Sequence, residues 1–159
     1  MVIGEYLSNK IAVIGLGNTL RRDDGIGIVI LESLLAFDKK KGIEYLNFGI
    51  ASFDLVHRME RYEKILLIDA IDTSGLMAGE LKIFELKDIA YNLKSSATST
   101  HEFDLKSLFE LYKRFELKSR IYVAGIQVKD ASYGEGLSAE LKDKLQAIIE
   151  KINTFIASL

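Results

Sequence analysis

Three residues far apart along the chain have side chains suited to metal chemistry: Asp24, Asp69 and His101. Asp24 closes an acidic pair with Asp23, just ahead of Gly25-Ile26-Gly27. Helix capping is the plain reading of such a pair: an aspartate there accepts from free backbone N–H groups and suits the positive end of the helix dipole. One of the two can cap while the other faces a ligand. Gly25 and Gly27 let a backbone or a partner chain approach closely. Asp69 ends the apolar run KILLID. A carboxylate is costly to bury unpaired, so at the carboxyl end of a central strand it is expected to point into a crevice. Asp72 reads as a turn-former. Of the two histidines, His57 beside Arg58 reads as a surface residue. His101 follows the polar stretch KSSATST and can act as ligand or proton carrier, with a capping or surface role as its alternative. Two carboxylates and one imidazole suit a borderline divalent ion such as zinc or nickel.

Other chemistries fit less well. The loop Gly15-Leu16-Gly17-Asn18-Thr19-Leu20 opens like a dinucleotide fingerprint, but Leu20 stands where the third glycine belongs. The acidic pair that follows would repel a phosphate, and no Gly-Lys-Ser/Thr makes a P-loop. Ser95, Ser96 and Ser99 lie in a plain polar stretch, and no G-x-S-x-G elbow occurs. Cysteine is absent, which removes disulfides, thiolate metal sites and a cysteine nucleophile. The formal net charge of −2 gives no basic footprint for nucleic acid. Asp38-Lys39-Lys40-Lys41 reads as a solvated helix end. Nothing in MVIGEYLSNK looks like an export signal, and no apolar run approaches the roughly eighteen residues of a membrane span, so a cytoplasmic home is expected.

The elements that must position these residues follow from apolar patterning. Residues 10–15 (KIAVIG), 64–70 (KILLIDA) and 120–126 (RIYVAGI) read as buried strands. Residues 42–49 offer another, and residues 80–86 alternate like a strand near an edge. Helical spacing marks residues 25–37, a short helix over 53–59, a helix carrying Leu105, Leu108, Phe109, Tyr112 and Phe115, and a last helix striped by Leu141, Leu145, Ile148, Ile149, Ile152 and Phe155. Ser138 is its expected N-cap, after a turn over residues 132–136. Proline is absent, so turns rely on Gly, Asn, Asp and Ser. Strands alternating with helices predict one α/β domain over residues 1–159, a three-layer α/β/α sandwich around a mostly parallel sheet. Ligand sites in such folds collect beyond the carboxyl ends of the strands. The loops starting near Gly15, Ala70 and Gly125 should therefore carry the chemistry, which brings Asp24, Asp69 and His101 to one edge.

In combination, these segments resemble the [NiFe]-hydrogenase maturation proteases. A strand followed by Gly-Leu-Gly-Asn and Asp-Asp-Gly-Ile-Gly is similar to their opening motif. Leu67-Ile68-Asp69-Ala70-Ile71-Asp72 resembles the second motif, Ser99-Thr100-His101 the third, and Gly125-Ile126-Gln127 a weaker fourth. The resemblance covers roughly residues 10–127. It implies a phosphorylase/hydrolase-like fold and an endopeptidase that trims the C-terminal extension of a hydrogenase large-subunit precursor after nickel insertion. Asp24, Asp69 and His101 would then be both the catalytic and the nickel-contacting residues. Gly15, Gly17, Asn18, Asp23, Gly25, Asp72 and Gln127 would form the supporting loops. Nickel would arrive with the substrate, zinc or cadmium could take its place in crystals, and no organic cofactor is implied. Val128 stands where the family often has proline, and Asn47-Phe48-Gly49-Ile50 keeps one glycine where relatives often show an acid and two glycines. These departures bear on which precursor is read. A non-catalytic nickel-checking assembly factor and a nucleotide-dependent α/β enzyme are the competing expectations.

Overall fold

Strands buried on both faces need continuous apolar runs, and three segments supply them. A computed structural model describes residues 10–50, 53–93 and 104–159. Strands β1 (Ile11–Leu16), β3 (Lys64–Ile71) and β5 (Arg120–Gln127) form the middle of a five-stranded sheet of order β2-β1-β3-β5-β4. Strand β2 (Ile43–Gly49) pairs parallel to β1 at one edge. At the other edge β4 (Leu81–Glu85) runs antiparallel to β5, while β1, β3 and β5 are mutually parallel.

Alternation along β3 divides the core. Leu66 and Ile68 point to one face, where helix α1 (Ile26–Phe37) contributes Ile26, Ile30, Leu31 and Leu34. Helix α5 (Ala139–Ala157) joins this layer through Leu141, Ile148, Ile149, Ile152 and Ile156. Ile65, Leu67 and Ile71 point to the opposite face, covered by α2 (Phe53–Met59), the single turn α3 (Ile89–Asn92) and α4 (Leu105–Arg114). This is the three-layer α/β/α arrangement with a mostly parallel sheet. Among the described residues, no helix is long and apolar enough to cross a membrane.

Local differences from the sequence reading have local causes. The first helix is preceded by a 3-10 turn, Arg22–Gly25, that carries the acidic pair. A second 3-10 turn, Leu86–Asp88, leads into α3, which escaped notice because four residues hold no periodic stripe. Ser138 does precede α5, but its side chain does not cap that helix.

Tyr62, between α2 and β3, is a buried tyrosine whose hydroxyl donates to Glu44 Oε2 at 2.5 Å. Burial, then the Glu44 hydrogen bond, pushes its pKa from 10.0 up to about 12, against the pull of Arg58 and Arg61. In that interval the unfolded chain has released a proton that the folded chain keeps, so stability should fall as pH rises from 10 towards 12. Urea titrations of the wild type and of Tyr62→Phe should show this decline in the former and a shallower one in the latter.

Candidate functional site

The loop after β1 folds back onto the strand ends, and glycines permit it. Gly17 has φ +139°, and a Cβ there would lie 2.1 Å from the backbone oxygen of Asp24. A Cβ on Gly27 would lie 2.3 Å from the Leu16 carbonyl oxygen and 2.2 Å from that of Ile68, so α1 begins directly on the carboxyl ends of β1 and β3. Gly15 faces the Gly27 oxygen and Gly25 faces the Thr19 Cα, each too closely for a side chain. Close approach is thus the reason for all four, and the partner is the chain's own backbone. Gly17→Ala should cost about 3 kcal/mol through strain and overlap, read as a lower urea midpoint.

This packing puts the two aspartates at one edge. Asp24, 4 % exposed, lies in the turn just before Gly27, and its Oδ2 accepts the Asn18 N–H at 3.0 Å. Asn18 Oδ1 in turn accepts the Leu20 N–H at 2.9 Å. Asp69 directly follows Ile68, whose carbonyl abuts Gly27. Asp69 is half-buried, pairs in register with Gly125, and by alternation faces the side covered by α2 and α4. His101 lies outside the described residues. Asp104, three positions later, caps α4 by accepting the Ser107 N–H at 2.8 Å. Since α4 leads by a short connection into the amino end of β5, its capped start stands at the carboxyl edge. Among the described residues, no group of three His, Cys, Asp or Glu side chains is arranged to hold a metal ion, and the expected trio includes one residue outside them.

Asp23 has a different task from helix capping. Fully buried, it makes no cap bond to the turn or helix that follows. Its carboxylate instead accepts from the N–H groups of Lys129, Asp130 and Ser138 at 2.9, 2.9 and 2.7 Å, and from the Ser138 hydroxyl at 2.8 Å. Those donors repay the desolvation of a buried charge. They also lock the loop after β5 against the turn that carries Asp24. Arg22 N–H donates to Gly134 and Gly134 N–H to Leu20, which extends the seam. Arg22 holds φ +44°, an uncommon conformation for a side-chain-bearing residue, in the middle of this junction. On the same loop, the Ser132 hydroxyl and N–H hold the Asp130 carboxyl below its ordinary value, with Arg22 adding to the effect.

Gln127 performs a similar service at the next loop. It is buried at the end of β5, accepts the Thr73 N–H at 3.0 Å and donates to Asp72 Oδ1 at 3.0 Å. Asp72, exposed in the turn after β3, is therefore fixed from the neighbouring strand. Ser138 was expected to cap α5 rather than to bind Asp23, and Thr73 was not singled out by the sequence. Their partners lie 115 and 54 residues away, beyond any local spacing signal.

A model of the hydrogenase maturation protease family matches residues 28–154, which include Asp69 and His101 and begin just after Asp24. Among solved structures, the [NiFe] hydrogenase maturation protease HybD from Thermococcus kodakarensis is 31% identical, with 92% of this chain and 98% of that chain covered and a TM-score of 0.69. The hydrogenase maturating endopeptidase HybD from E. coli, 20% identical, shares the fold at a TM-score of 0.75 over 90% of this chain and 89% of that one. The hydrogenase expression/formation protein HupD of Thiocapsa roseopersicina is 24% identical over 151 residues, 93% of this chain and 68% of its own length. The chain belongs to the hydrogenase maturation protease family.

Proposed function

We propose that this chain is the endopeptidase that removes the C-terminal extension of a [NiFe]-hydrogenase large-subunit precursor once nickel is in place, and that Asp24, Asp69 and His101 contact that nickel. The observation that carries the reading is the family match over residues 28–154. The site geometry supports the residue roles. Asp24 lies in the turn that leads onto the ends of β1 and β3, Asp69 lies near the end of β3, and the capped start of α4, just past His101 in sequence, faces the same edge. Two carboxylates and an imidazole fit a borderline divalent ion.

Nickel in this reading belongs to the substrate, and it supplies Lewis-acid polarisation of the scissile carbonyl or activation of a water molecule. The protein's own part is positional. Asn18 fixes Asp24 through one carboxylate oxygen. Asp23 and Gln127 hold the flanking loops, so the edge is set before the precursor arrives. Such preorganisation is what a metal-reading site needs. We assign the reaction to the cytoplasm.

The test is to mix purified protein with nickel-loaded precursor and follow the precursor's mass. Shortening by a C-terminal peptide is the expected result. Tight binding with release of the full-length precursor would replace this reading with that of a nickel-checking assembly factor.

A further inference from the structure

Away from the aspartates, the molecule has a concave feature. A cavity of about 460 Å³ runs beside β2, lined by Leu46, Asn47 and Phe48 of that strand and by Asp54, His57, Arg58 and Arg61 on and after α2. Its chemistry is mixed. The strand side offers the partly buried Leu46 and Phe48, and the helix side offers two guanidinium groups and an imidazole against one carboxylate. Neither Arg58 nor Arg61 is ion-paired among the described residues, so their charge is available. The strand itself is an edge. Among the described residues β2 pairs only with β1, which leaves a row of backbone donors and acceptors on its outer side. With seven residues it is longer than the five-residue edge strand β4.

The groove also leads to the candidate site. Gly49 ends β2 beside Leu16, and its carbonyl accepts the Gly17 N–H at 2.8 Å. Gly17 in turn abuts the backbone of Asp24. A chain segment laid along β2 is therefore delivered to the loop that carries Asp24.

We propose that this groove receives an extended, carboxylate-bearing segment of the polypeptide substrate, hydrogen-bonded to the outer edge of β2 as a sixth strand and steered by Arg58 and Arg61. The proposal rests on the protease reading for the identity of the substrate. Strand addition explains why an edge this long is kept, since backbone pairing gives affinity while flanking side chains give selectivity. Two exposed cations suit a steering role, because rim charges act on encounter and salt dependence.

The test combines amide hydrogen exchange with kinetics on the full chain and the purified precursor. The β2 amides that face away from β1 should exchange freely in the protein alone and slow when precursor is added. Arg58→Glu with Arg61→Glu should raise KM on the order of tenfold and flatten its salt dependence, with the loss falling on KM rather than kcat, while Arg58→Lys with Arg61→Lys restores it. Protection of these outward-facing amides before any precursor is added would assign the edge to this chain or to a second copy and overturn the proposal. An unchanged KM, or absence of protection with precursor bound, would also overturn it. If the wild type binds precursor without shortening it, the protease reading fails by itself. The exchange data then still decide the groove: protection weakened by the charge reversal supports it, and protection absent or insensitive to the reversal removes it.

Discussion

Asp24→Asn should lower precursor cutting by at least about a hundredfold, the scale expected when one group stabilising the reacting centre is removed. The fold should survive. Asn retains a side-chain oxygen that can accept the Asn18 N–H now bound by Asp24 Oδ2. The substitution removes the negative charge with little change of shape, so the loss should fall on metal contact rather than on packing. Asp69→Asn tests the same point from the neighbouring strand end and should be about as severe. Mass spectrometry of the precursor measures cutting, and urea denaturation measures stability. A variant that keeps near wild-type cutting would remove its residue from the site.

Asp23→Ala should do the reverse and act first on the fold. It strips one buried carboxylate from three backbone N–H groups and a hydroxyl. Leaving such donors unmatched should cost about 4–5 kcal/mol, more than any other single change considered for this chain. For a domain of this size that is roughly 10–15 °C in Tm. Asp23→Asn keeps the volume but offers one acceptor oxygen where two are used, and should lose about half as much. A calorimetric scan of both variants distinguishes this clamp from a helix cap, for which loss of the side chain costs only about 1 kcal/mol.

The contrast between these neighbours shows what a sequence can and cannot disclose. Strands β1, β3 and β5 were legible because strands covered on both faces must be continuously apolar, and KIAVIG, KILLIDA and RIYVAGI are. Asp69 stood out for the complementary reason, as a charge at the end of such a run. The glycines at 25 and 27 were legible as sites of close approach. What approaches Gly27, the Ile68 carbonyl oxygen, depends on a crossing between segments distant in sequence. Asp23 beside Asp24 looked interchangeable with it. Only the return of residues 128–138 to the first loop separates their roles, and no local pattern encodes that return. The short α3 and the direction of β4 are likewise decided by tertiary packing, since four or five residues carry too little periodicity.

The supports around the site also make sense of its rigidity. Gln127 ties the loop after β3, Asp23 ties the loop after β5, and Gly17 seats the loop after β1. Each support comes from a different strand end, so the edge behaves as one unit. Substitutions at these positions should therefore perturb stability and cutting together, whereas those at Asp24 and Asp69 should separate the two.

The most direct test is crystallographic. Crystals of the full chain soaked with zinc should show an anomalous peak within about 2.0–2.2 Å of carboxylate oxygens of both Asp24 and Asp69 and of an imidazole nitrogen of His101. A peak bound elsewhere, or coordinates that hold His101 away from the two aspartates, would contradict the account.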